Sequence, residues 1–356
     1  MDDSLYVLII AGGLGTRFWP RSRRSLPKQC IALDGHTTLI QHTLRRVGAL
    51  VPPDRTFVVT SRDMALALFE QLPELPDGNI LVEPVGMNTA PAVAWGTMEI
   101  SRRARGKNPV VVVLPSDHLI QQEDELGSVL LAAAKAAKAT NALVTIGLKP
   151  TRPETAFGYL LCGEEQGRWA GRPVARVERF VEKPDLETAQ AYLADGRYLW
   201  NAGMFVFAAE AFRDAVRRWL PNTWAWLEKL RHSPDRLEEI YPQLDRISID
   251  YGIMERASHV LTVRADVGWS DVGSWNALAE HLPKAEGGVG LARHMVAVDS
   301  ERNIVHAPGK VVALLGVSDL VVVDTGDALL VCRTEDAQRV REITERLAAQ
   351  GLDDVL

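Results

Sequence analysis

Apolar positions in the first 150 residues fall into short continuous runs, separated by longer amphipathic stretches. The runs are rich in β-branched residues and predict strands at Leu5–Ile10, Thr56–Thr60, Ile80–Val82, Val110–Leu114 and Leu143–Gly147. The stretches between them predict helices at Leu39–Leu50, Asp63–Gln71, Ala90–Ala104 and Ser128–Ala139. Strands that are apolar throughout are buried on both faces, and strand–helix alternation favours parallel neighbours. We therefore predict an α/β fold with a Rossmann-like, mostly parallel mixed sheet flanked by helices.

The pattern changes twice in the rest of the chain. Between residues 151 and 282 it is mixed, with strands predicted at Val177–Val181 and Met204–Phe207. After the glycine-rich segment 287–290, turn residues separate short predicted strands at Asn303–His306, Val311–Leu315, Leu320–Asp324 and Ala328–Cys332. A terminal helix is predicted at Thr334–Ala349, with Val340, Ile343 and Leu347 on one face. We predict two domains, an α/β domain at residues 1–285 and a small β-rich, β-helix-like domain at 286–356.

Composition excludes several classes of protein. The 356 residues are 47% hydrophobic and 24% charged, which is enough to bury a large core and excludes a disordered chain. The net charge of −6 gives no sign of a nucleic-acid or membrane-surface binder, so we expect neither partner. The longest apolar runs are far shorter than the ~20 residues of a membrane span.

Two features of the sequence indicate the compartment. The N-terminal segment MDDSLYVLIIAGG lacks the basic start of a signal peptide. The 3 cysteines are scattered and form no CxxC pair, which argues against a disulfide framework or a zinc site and is typical of a reducing compartment. We therefore expect a cytoplasmic protein.

A glycine-rich loop, AGGLGTRFWP at residues 11–20, follows the first predicted strand directly. Glycines at a strand end allow backbone N–H groups to approach a phosphate closely. The dinucleotide fingerprint needs a third glycine where Phe18 stands, and the loop lacks the Gly-Lys-Ser/Thr of a P-loop, so a dinucleotide-binding oxidoreductase is disfavoured. The glycines alone are equally compatible with a tight turn that binds nothing. Arg17 and Lys28 favour a ligand, because a backbone nest with two cations suits a triphosphate.

A carboxylate follows another predicted strand. Asp117 stands in the segment PSDH directly after Val110–Leu114, where a hard oxygen ligand for Mg²⁺ is well placed. A turn-forming Asp that caps the next segment is the alternative. We assign no general-base role to the neighbouring His118, because phosphate oxygens need no activating base.

The loop and its flanks, GGLGTRFWPRSRRSLPKQ, resemble the signature GGxGTRxxPxS…PK of sugar-1-phosphate nucleotidylyltransferases. The resemblance implies the nucleotidyltransferase fold and a loop that wraps a nucleoside triphosphate. It implies that Arg17 contacts the phosphates, that Lys28 steadies the α-phosphate and that Asp117 binds the catalytic metal. The nucleotide-binding residues of the loop are then Ala11, Gly12, Gly13, Gly15 and Thr16.

Three further segments resemble the sugar-phosphate site of the same family. FVEKP at 180–184 is similar to the motif whose lysine, here Lys183 beside Glu182, grips the phosphate of the acceptor sugar. From the residues alone, an ordinary exposed ion pair is the alternative. The segments FGY at 157–159 and WNAGMF at 200–205 resemble parts of the sugar pocket, which implies roles for Gly158, Tyr159 and Asn201.

Three more segments point to one branch of that family. EPVGMNTAP at 83–91, IDYGIME at 249–255 and GWSDVGSW at 268–275 resemble mannose-1-phosphate guanylyltransferases. The resemblance implies that Asp271 is a second Mg²⁺ ligand beside Asp117 and that Asp250 serves the sugar-phosphate site. It also implies a base-reading role for Glu83, whose carboxylate can accept hydrogen bonds from guanine N1–H and the exocyclic amine. Asn88 and Thr89 are assigned to the nucleotide site with it, although a helix N-cap explains those two residues equally well.

The resemblance implies transfer of GMP from GTP to α-D-mannose 1-phosphate, giving GDP-mannose and pyrophosphate, by Mg²⁺-dependent in-line attack on the α-phosphorus. The implied catalytic residues are Arg17, Lys28, Asp117, Lys183 and Asp271. One alternative is the same reaction with another pair, such as glucose 1-phosphate with UTP, dTTP or ATP. Another is a regulatory homologue that binds sugar nucleotides without turnover. Tails like the β-rich one often mediate dimers in this family, so we expect a homodimer.

Overall fold

The computed structural model describes residues 3–33 and 36–356. Its strands are β1 (Leu5–Ala11), β2 (Thr56–Ser61), β3 (Ile80–Glu83), β4 (Val110–Pro115), β5 (Leu119–Ile120), β6 (Leu143–Leu148), β7 (Gly158–Trp169), β8 (Arg172–Glu182), β9 (Tyr198–Ala208), β10 (Val260–Ala265), β11 (Trp269–Ser270), β12 (Lys284–Ala285), β13 (Gly288–Val298), β14 (Asn303–Leu315), β15 (Leu320–Asp324) and β16 (Leu329–Arg333). Its α-helices are α1 (Leu39–Val47), α2 (Arg62–Gln71), α3 (Thr89–Arg103), α4 (Glu123–Thr140), α5 (Leu186–Asp195), α6 (Ala209–Trp219), α7 (Pro221–His232), α8 (Leu237–Ile240), α9 (Trp275–Ala279) and α10 (Val340–Ala349). Within the described ranges, each helix is too short or too polar to cross a bilayer.

The chain divides into two compact units that alternate along the sequence. The first comprises Met1–Gly12, Thr43–Ser116 and Ile120–Gly268. The second comprises Gly13–His42, Asp117–Leu119 and Trp269–Leu356. Most of the glycine-rich loop and Asp117 therefore belong to the same unit as the C-terminal strands. The domain boundary predicted between residues 285 and 286 stays a prediction.

In the described part of the first unit, nine strands form one sheet in the order β3-β2-β1-β4-β9-β6-β10-β8-β7. The pairs β1–β2, β1–β4, β2–β3 and β6–β10 are parallel. Strand β9 lies antiparallel between β4 and β6, and β7 and β8 form an antiparallel edge. The predicted α/β fold with its mixed parallel sheet is confirmed. The sequence did not indicate that β9 would separate β4 from β6.

Burial on both faces explains why the central strands are apolar throughout. Val7, Leu8 and Ile9 in β1 are completely buried. Helix α3 packs against the sheet face that carries Leu8, so closely that a Cβ on Gly96 would lie 2.7 Å from the Leu8 methyl groups. In parallel sheets, ligands bind beyond the carboxyl ends of the strands, and Glu83 stands at that end of β3.

One predicted helix begins earlier than expected. Helix α4 starts at Glu123, whereas the apolar pattern predicts a start at Ser128. Its first turn contains Glu123, Asp124 and Glu125. Acidic side chains there interact favourably with the helix dipole but contribute no apolar periodicity, which explains the difference.

The described residues of the second unit contain a five-stranded sheet in the order β12-β13-β14-β15-β16. The pairs β13–β14 and β14–β15 are parallel, and β15–β16 is antiparallel. The two strands predicted at Asn303–His306 and Val311–Leu315 are one strand, β14. The pairing of β13 with β14 changes register between Ala292 and His294, and this irregularity carries the strand through the Pro-Gly pair between the two predicted segments.

The terminal helical segment consists of two elements rather than one. A tighter helix at Thr334–Arg339 precedes α10. Val340 and Thr344 are buried, whereas Ile343 is 41% exposed, so burial on this helix is concentrated at Val340 and Thr344. Leu347, seven residues after Val340, is partly buried against the same core.

Candidate active site

Lys28 is the centre of a charged cluster in the second unit. Its side chain is 7% exposed, and Nζ donates hydrogen bonds to Asp117 Oδ2 at 2.7 Å and to the backbone oxygen of Asp271 at 2.7 Å. Burial opposes ionisation of Asp117, but the positive charge of Lys28, assisted by His118, holds the pKa of that carboxyl below its usual value. The structure therefore brings together three residues that the sequence assigned to phosphate and metal chemistry.

Glycine is required at position 15 for this cluster to form. Gly15 has a φ of +66°, and a Cβ there would lie 2.3 Å from Lys28 Cβ. Its carbonyl accepts a hydrogen bond from Ser22 Oγ at 2.8 Å. Only a residue without a side chain allows the loop to pass against the Lys28 stem.

Side chains of the loop and of the residues just after it are held by residues near the C-terminal end of the second unit. The hydrogen bonds join Arg17 Nη1 to Gln338 Oε1 (2.9 Å), Trp19 Nε1 to Val355 O (2.7 Å), Arg23 Nη2 to Asp327 Oδ1 (3.1 Å) and Arg24 Nη1 to Asp353 Oδ1 (2.9 Å). Phe18 and Trp19 also share an apolar core with Val321 and Val323 of β15. Packing on the β-rich part of its own unit therefore fixes the loop.

Asp271 lies in a strained loop. Val272 is completely buried and has a φ of +44°, which costs a β-branched residue roughly 1–3 kcal/mol. Asp271 Oδ1 accepts a hydrogen bond from Gly273 N at 3.1 Å, and a Cβ on Gly273 would lie 2.5 Å from Oδ2. Buried Val272 and unsubstituted Gly273 together fix the direction of the Asp271 carboxylate.

The donor chemistry of Asp117 and Asp271 suits Mg²⁺. Both residues contact the same Lys28 ammonium, so they belong to one cluster. Mg²⁺ is commonly held by one or two protein carboxylates, with water and substrate phosphates in the remaining positions. Over residues 3–33 and 36–356, no group of three or more His, Cys, Asp or Glu side chains forms a metal-binding arrangement. Two carboxylates suit a metal that completes its coordination with water and a phosphate substrate.

Glu83, in the first unit, is a buried carboxylate with two different oxygen environments. Its Oε1 accepts a hydrogen bond from the Tyr241 hydroxyl, and a Cβ on Gly12 would lie 3.4 Å from Oε2. Burial raises the pKa of Glu83 to about 7, against the opposing effect of hydrogen bonds from Tyr241 and the Met87 backbone. Tyr241 was not predicted from the sequence, since a lone tyrosine in a helical stretch belongs to no motif.

Asn88 and Thr89 form the N-terminus of α3. Asn88 Oδ1 accepts a hydrogen bond from Thr89 N at 2.8 Å, and Thr89 Oγ1 accepts one from Ile249 N at 2.9 Å. Asn88 is thus the N-cap residue of α3. The nucleotide-binding role of these two residues stays a prediction.

Glu182, Lys183, Asn201 and Asp250 lie together in the first unit. Lys183 Nζ donates to Glu182 Oε1 at 2.7 Å, and Asn201 Nδ2 donates to Asp250 Oδ1 at 3.1 Å. Burial and the Glu182 charge raise the pKa of Asp250 to about 7. Burial lowers the pKa of Lys183, but Glu182 and Asp250 overcome this effect and raise it above its usual value. The cluster offers a cation for a phosphate and several oxygens for hydroxyl groups.

Two backbone features, the absence of a side chain at Gly158 and the left-handed conformation of Lys183, shape this cluster. A Cβ on Gly158 would lie 2.5 Å from Glu182 Oε2, so position 158 admits no side chain without displacing that carboxylate. Lys183 has a φ of +50°, a left-handed conformation that is uncommon outside glycine and clusters at functional sites. Tyr159 is completely buried, and its hydroxyl accepts a hydrogen bond from Glu154 N at 2.9 Å. Its side chain belongs to the core, and its predicted sugar-binding role stays a prediction.

Thr145 is a second residue that the sequence analysis missed. It lies in β6, and its Oγ1 donates to Asn201 Oδ1 at 2.8 Å. This bond fixes the Asn201 amide so that Nδ2 is directed at Asp250. A polar residue in the middle of the apolar run LVTIGL was the available signal.

The chain is similar to known proteins over nearly its whole length. The chain matches the nucleotidyl transferase family over residues 6–287 and the mannose-phosphate isomerase/GMP-like β-helix domain over residues 293–347. It is 37% identical to the mannose-1-phosphate guanylyltransferase of Escherichia coli strain K12, over 98% of this chain and 75% of the relative. It is 38% identical to the xanthan biosynthesis protein XanB of Xanthomonas campestris pv. campestris strain B100, over 99% of this chain and 74% of the relative.

A solved structure extends the similarity to three dimensions. The crystal structure of a Thermus thermophilus protein, described as mannose-1-phosphate geranyltransferase, has a TM-score of 0.88 and 38% identity. The similarity covers 97% of this chain and 99% of that one. On these findings the chain belongs to the nucleotidyl transferase family, in the branch of the mannose-1-phosphate guanylyltransferases.

Proposed function

We propose that this protein transfers GMP from GTP to α-D-mannose 1-phosphate, giving GDP-mannose and pyrophosphate. The observation that carries the proposal is the cluster in which the buried Lys28 ammonium joins Asp117 to Asp271. The named activity of the relatives supplies the choice of nucleotide and sugar.

The reaction demands little covalent chemistry from the protein. The attacking phosphate oxygen of the sugar phosphate is already anionic, so we assign neither a general base nor a covalent intermediate. Catalysis then depends on positioning two anions and on stabilising charge at the α-phosphate.

Three cations divide this work. Lys28 stabilises the α-phosphate, where the new bond forms as the bond to pyrophosphate breaks. Arg17 is exposed and hydrogen-bonded to the neutral amide of Gln338, a partner that an anionic phosphate can replace, so it holds the leaving pyrophosphate. Lys183 orients the attacking phosphate, with the oxygens of Glu182, Asn201 and Asp250 available to the sugar hydroxyls.

Asp117 and Asp271 would hold Mg²⁺. When bound, the ion neutralises charge on the phosphate groups and holds them against their mutual repulsion. Lys28 supports this role because its charge keeps Asp117 ionised at neutral pH. Glu83 accepts hydrogen bonds from guanine, the role that its buried carboxylate supports best.

We also propose that the protein is a cytoplasmic homodimer that uses the β-rich sheet as its interface. Large apolar side chains on that sheet are at least 39% exposed: Val296, Val298, Val311, Leu315, Leu329 and Val331. Val298 pairs with Leu315 in the β13–β14 register, so the two side chains are neighbours on one face. Exposed apolar side chains that neighbour one another, as Val298 and Leu315 do, favour a protein interface, and a second copy of this chain is the partner we propose.

The activity is tested by pyrophosphate release in the presence of Mg²⁺. GTP, ATP, UTP and dTTP are each combined with mannose 1-phosphate and with glucose 1-phosphate. We expect the highest kcat/KM for GTP with mannose 1-phosphate and loss of activity with EDTA. A maximum at another pair would refute the assignment of substrates while retaining the chemistry. Folded protein that binds GTP but shows no turnover with any pair would favour a regulatory protein.

A further inference from the structure

Tyr241 belongs to none of the sequence motifs, yet it contacts a residue of the proposed nucleotide site. It lies in the turn Tyr241–Gln243 after α8 and is completely buried. Its ring packs edge-on against Trp95 of α3, with centroids 5.4 Å apart. Its hydroxyl donates to Glu83 Oε1. Buried tyrosine hydroxyls usually have a partner, but here the partner is an ionisable carboxyl at the end of a strand.

The contact makes the two oxygens of Glu83 unequal. Oε1 is engaged by Tyr241, whereas Oε2 lies beside Gly12, where a Cβ would be 3.4 Å away. Gly12 is exposed and is the second residue of the glycine-rich loop. The oxygen that is not bonded to Tyr241 is therefore the one nearest to the start of the proposed triphosphate loop.

Guanine has the chemistry that this arrangement recognises. It presents N1–H and an exocyclic N–H on one edge, and a carboxylate can accept both hydrogen bonds. Adenine presents an acceptor at N1, and hypoxanthine keeps N1–H but lacks the exocyclic amine. A site that is built to bond a substrate N–H discriminates strongly against analogues that lack it.

We infer that Tyr241 is a positioning residue for guanine selection: its hydroxyl holds one oxygen of Glu83 and directs the other towards the N–H donors of the base. The inference rests on the proposed function, because it assumes that Glu83 faces the nucleotide. Tyr241 itself touches no substrate and acts through Glu83.

The protonation of both partners agrees with this role. Burial and Glu83 raise the pKa of Tyr241 far above its usual value, so the hydroxyl remains a donor. Among the described residues, the groups that act on the Glu83 pKa are Tyr241 and the Met87 backbone N–H, and both lower it against the effect of burial. Removing the Tyr241 hydroxyl therefore raises the Glu83 pKa further and moves the loss of the acceptor to higher pH.

The test uses Tyr241→Phe, which keeps the ring and its contact with Trp95. Binding of GTP, ITP and ATP is measured by calorimetry between pH 5.5 and 9, and kcat and KM are measured with mannose 1-phosphate. We expect about a 10-fold loss of GTP affinity at pH 7, mainly in KM, with kcat within threefold of wild type. As the pH is lowered, the ratio of GTP to ATP affinity should begin to fall at a higher pH in the variant than in the wild type. Using this ratio cancels titration of the triphosphate, which both nucleotides share.

Two comparisons separate positioning from a structural role. Tyr6→Phe removes the hydroxyl of another buried tyrosine of the same unit and should change neither the nucleotide ratio nor its pH dependence. Glu83→Gln removes the ionisable group, and adding Tyr241→Phe to it should cause no further loss in GTP selectivity. Three results would each overturn the inference. Tyr241→Phe could weaken GTP and ATP binding equally, or leave unchanged the pH at which the affinity ratio falls. The double variant could show a loss of GTP selectivity equal to the product of the two single losses.

Wild-type protein supplies a measurement that needs no variant. Its GTP-to-ATP affinity ratio should fall as the pH decreases through about 7, where Glu83 becomes protonated. A ratio that is flat across this range would overturn the inference even if Tyr241→Phe does not fold. If the protein binds GTP selectively but transfers no GMP to any sugar phosphate, the proposed function fails and the Tyr241 inference stands on the binding data.

Discussion

Lys28→Met is the substitution that most directly tests the charged cluster. It removes the ammonium that joins Asp117 to Asp271 and keeps an unbranched stem of similar length. A hydrogen bond to a charged group contributes roughly 1.5–3 kcal/mol to stability. Because the Asp117 side chain remains 32% exposed, water replaces part of the lost contact. We therefore expect the free energy of unfolding to fall by about 1–2 kcal/mol at pH 7, which leaves a folded protein.

The effect on catalysis should be larger than the effect on stability. Lys28 is assigned to charge that develops at the α-phosphate, and removal of one preorganised donor of this kind costs about 10²–10³ in kcat. The assay is pyrophosphate release at saturating GTP and mannose 1-phosphate, with urea denaturation of the same samples. Lys310→Met is the matched control, because it breaks an exposed lysine–aspartate pair, with Asp324, in the same unit. We expect that control to retain activity within twofold of wild type.

The pH dependence of stability gives an independent check on the same contact. Lys28 lowers the pKa of Asp117, so the stabilisation is complete above the unfolded pKa of about 3.9 and is lost as the pH falls through the folded value. The difference in stability between wild type and Lys28→Met should therefore disappear in acid. A folded Lys28→Met protein with kcat within threefold of wild type would refute the assignment of Lys28.

Three further predictions concern the other sites. Gly158→Ala places a Cβ 2.5 Å from Glu182 Oε2 and should displace that carboxylate. Initial rates should then show the KM for mannose 1-phosphate raised about 10-fold and the KM for GTP unchanged. Equal increases in both KM values would contradict the assignment. Asp250 has a pKa of about 7 and accepts hydrogen bonds from sugar hydroxyls more strongly when it is ionised. The wild-type kcat/KM for mannose 1-phosphate should therefore decline below pH 7. That decline should be absent in Asp250→Asn, and its persistence would assign the titration to another group. Leu315→Asp puts a charge on the exposed apolar face of β14 and should reduce the mass measured by light scattering from dimer to monomer, whereas a monomeric wild type would refute the proposed interface.

Much of the fold was predictable because its signals are local. The continuous apolar runs that became β1 to β4 and the glycine-rich loop are each contained within a few neighbouring residues. The insertion of β9 between β4 and β6 was not predictable in this way, because strand order depends on packing among segments far apart in sequence. Strand β13 was not predicted either, because its initial glycines are typical of a turn between elements.

The candidate site shows the same limit. Lys28, Asp117 and Asp271 were identified by motif, and the structure places them together. Tyr241 was missed because 158 residues separate it from Glu83, and nothing local marks a buried tyrosine as a hydrogen-bond donor. The cost of the left-handed Val272 was also not visible in sequence, because strain becomes evident only when backbone angles are known.

The bonds that join residues 17–24, in and just after the glycine-rich loop, to residues 327–355 restrict which segments can be exchanged between relatives. Arg17, Trp19, Arg23 and Arg24 each have a partner in that C-terminal segment. A chimera that imports the C-terminal β-rich segment of a relative would thus pair these side chains with foreign residues and loosen the loop. Exchange should preserve activity only when residues 13–42 are taken from the same donor, so the two segments should be exchanged as one unit although they lie far apart in the sequence.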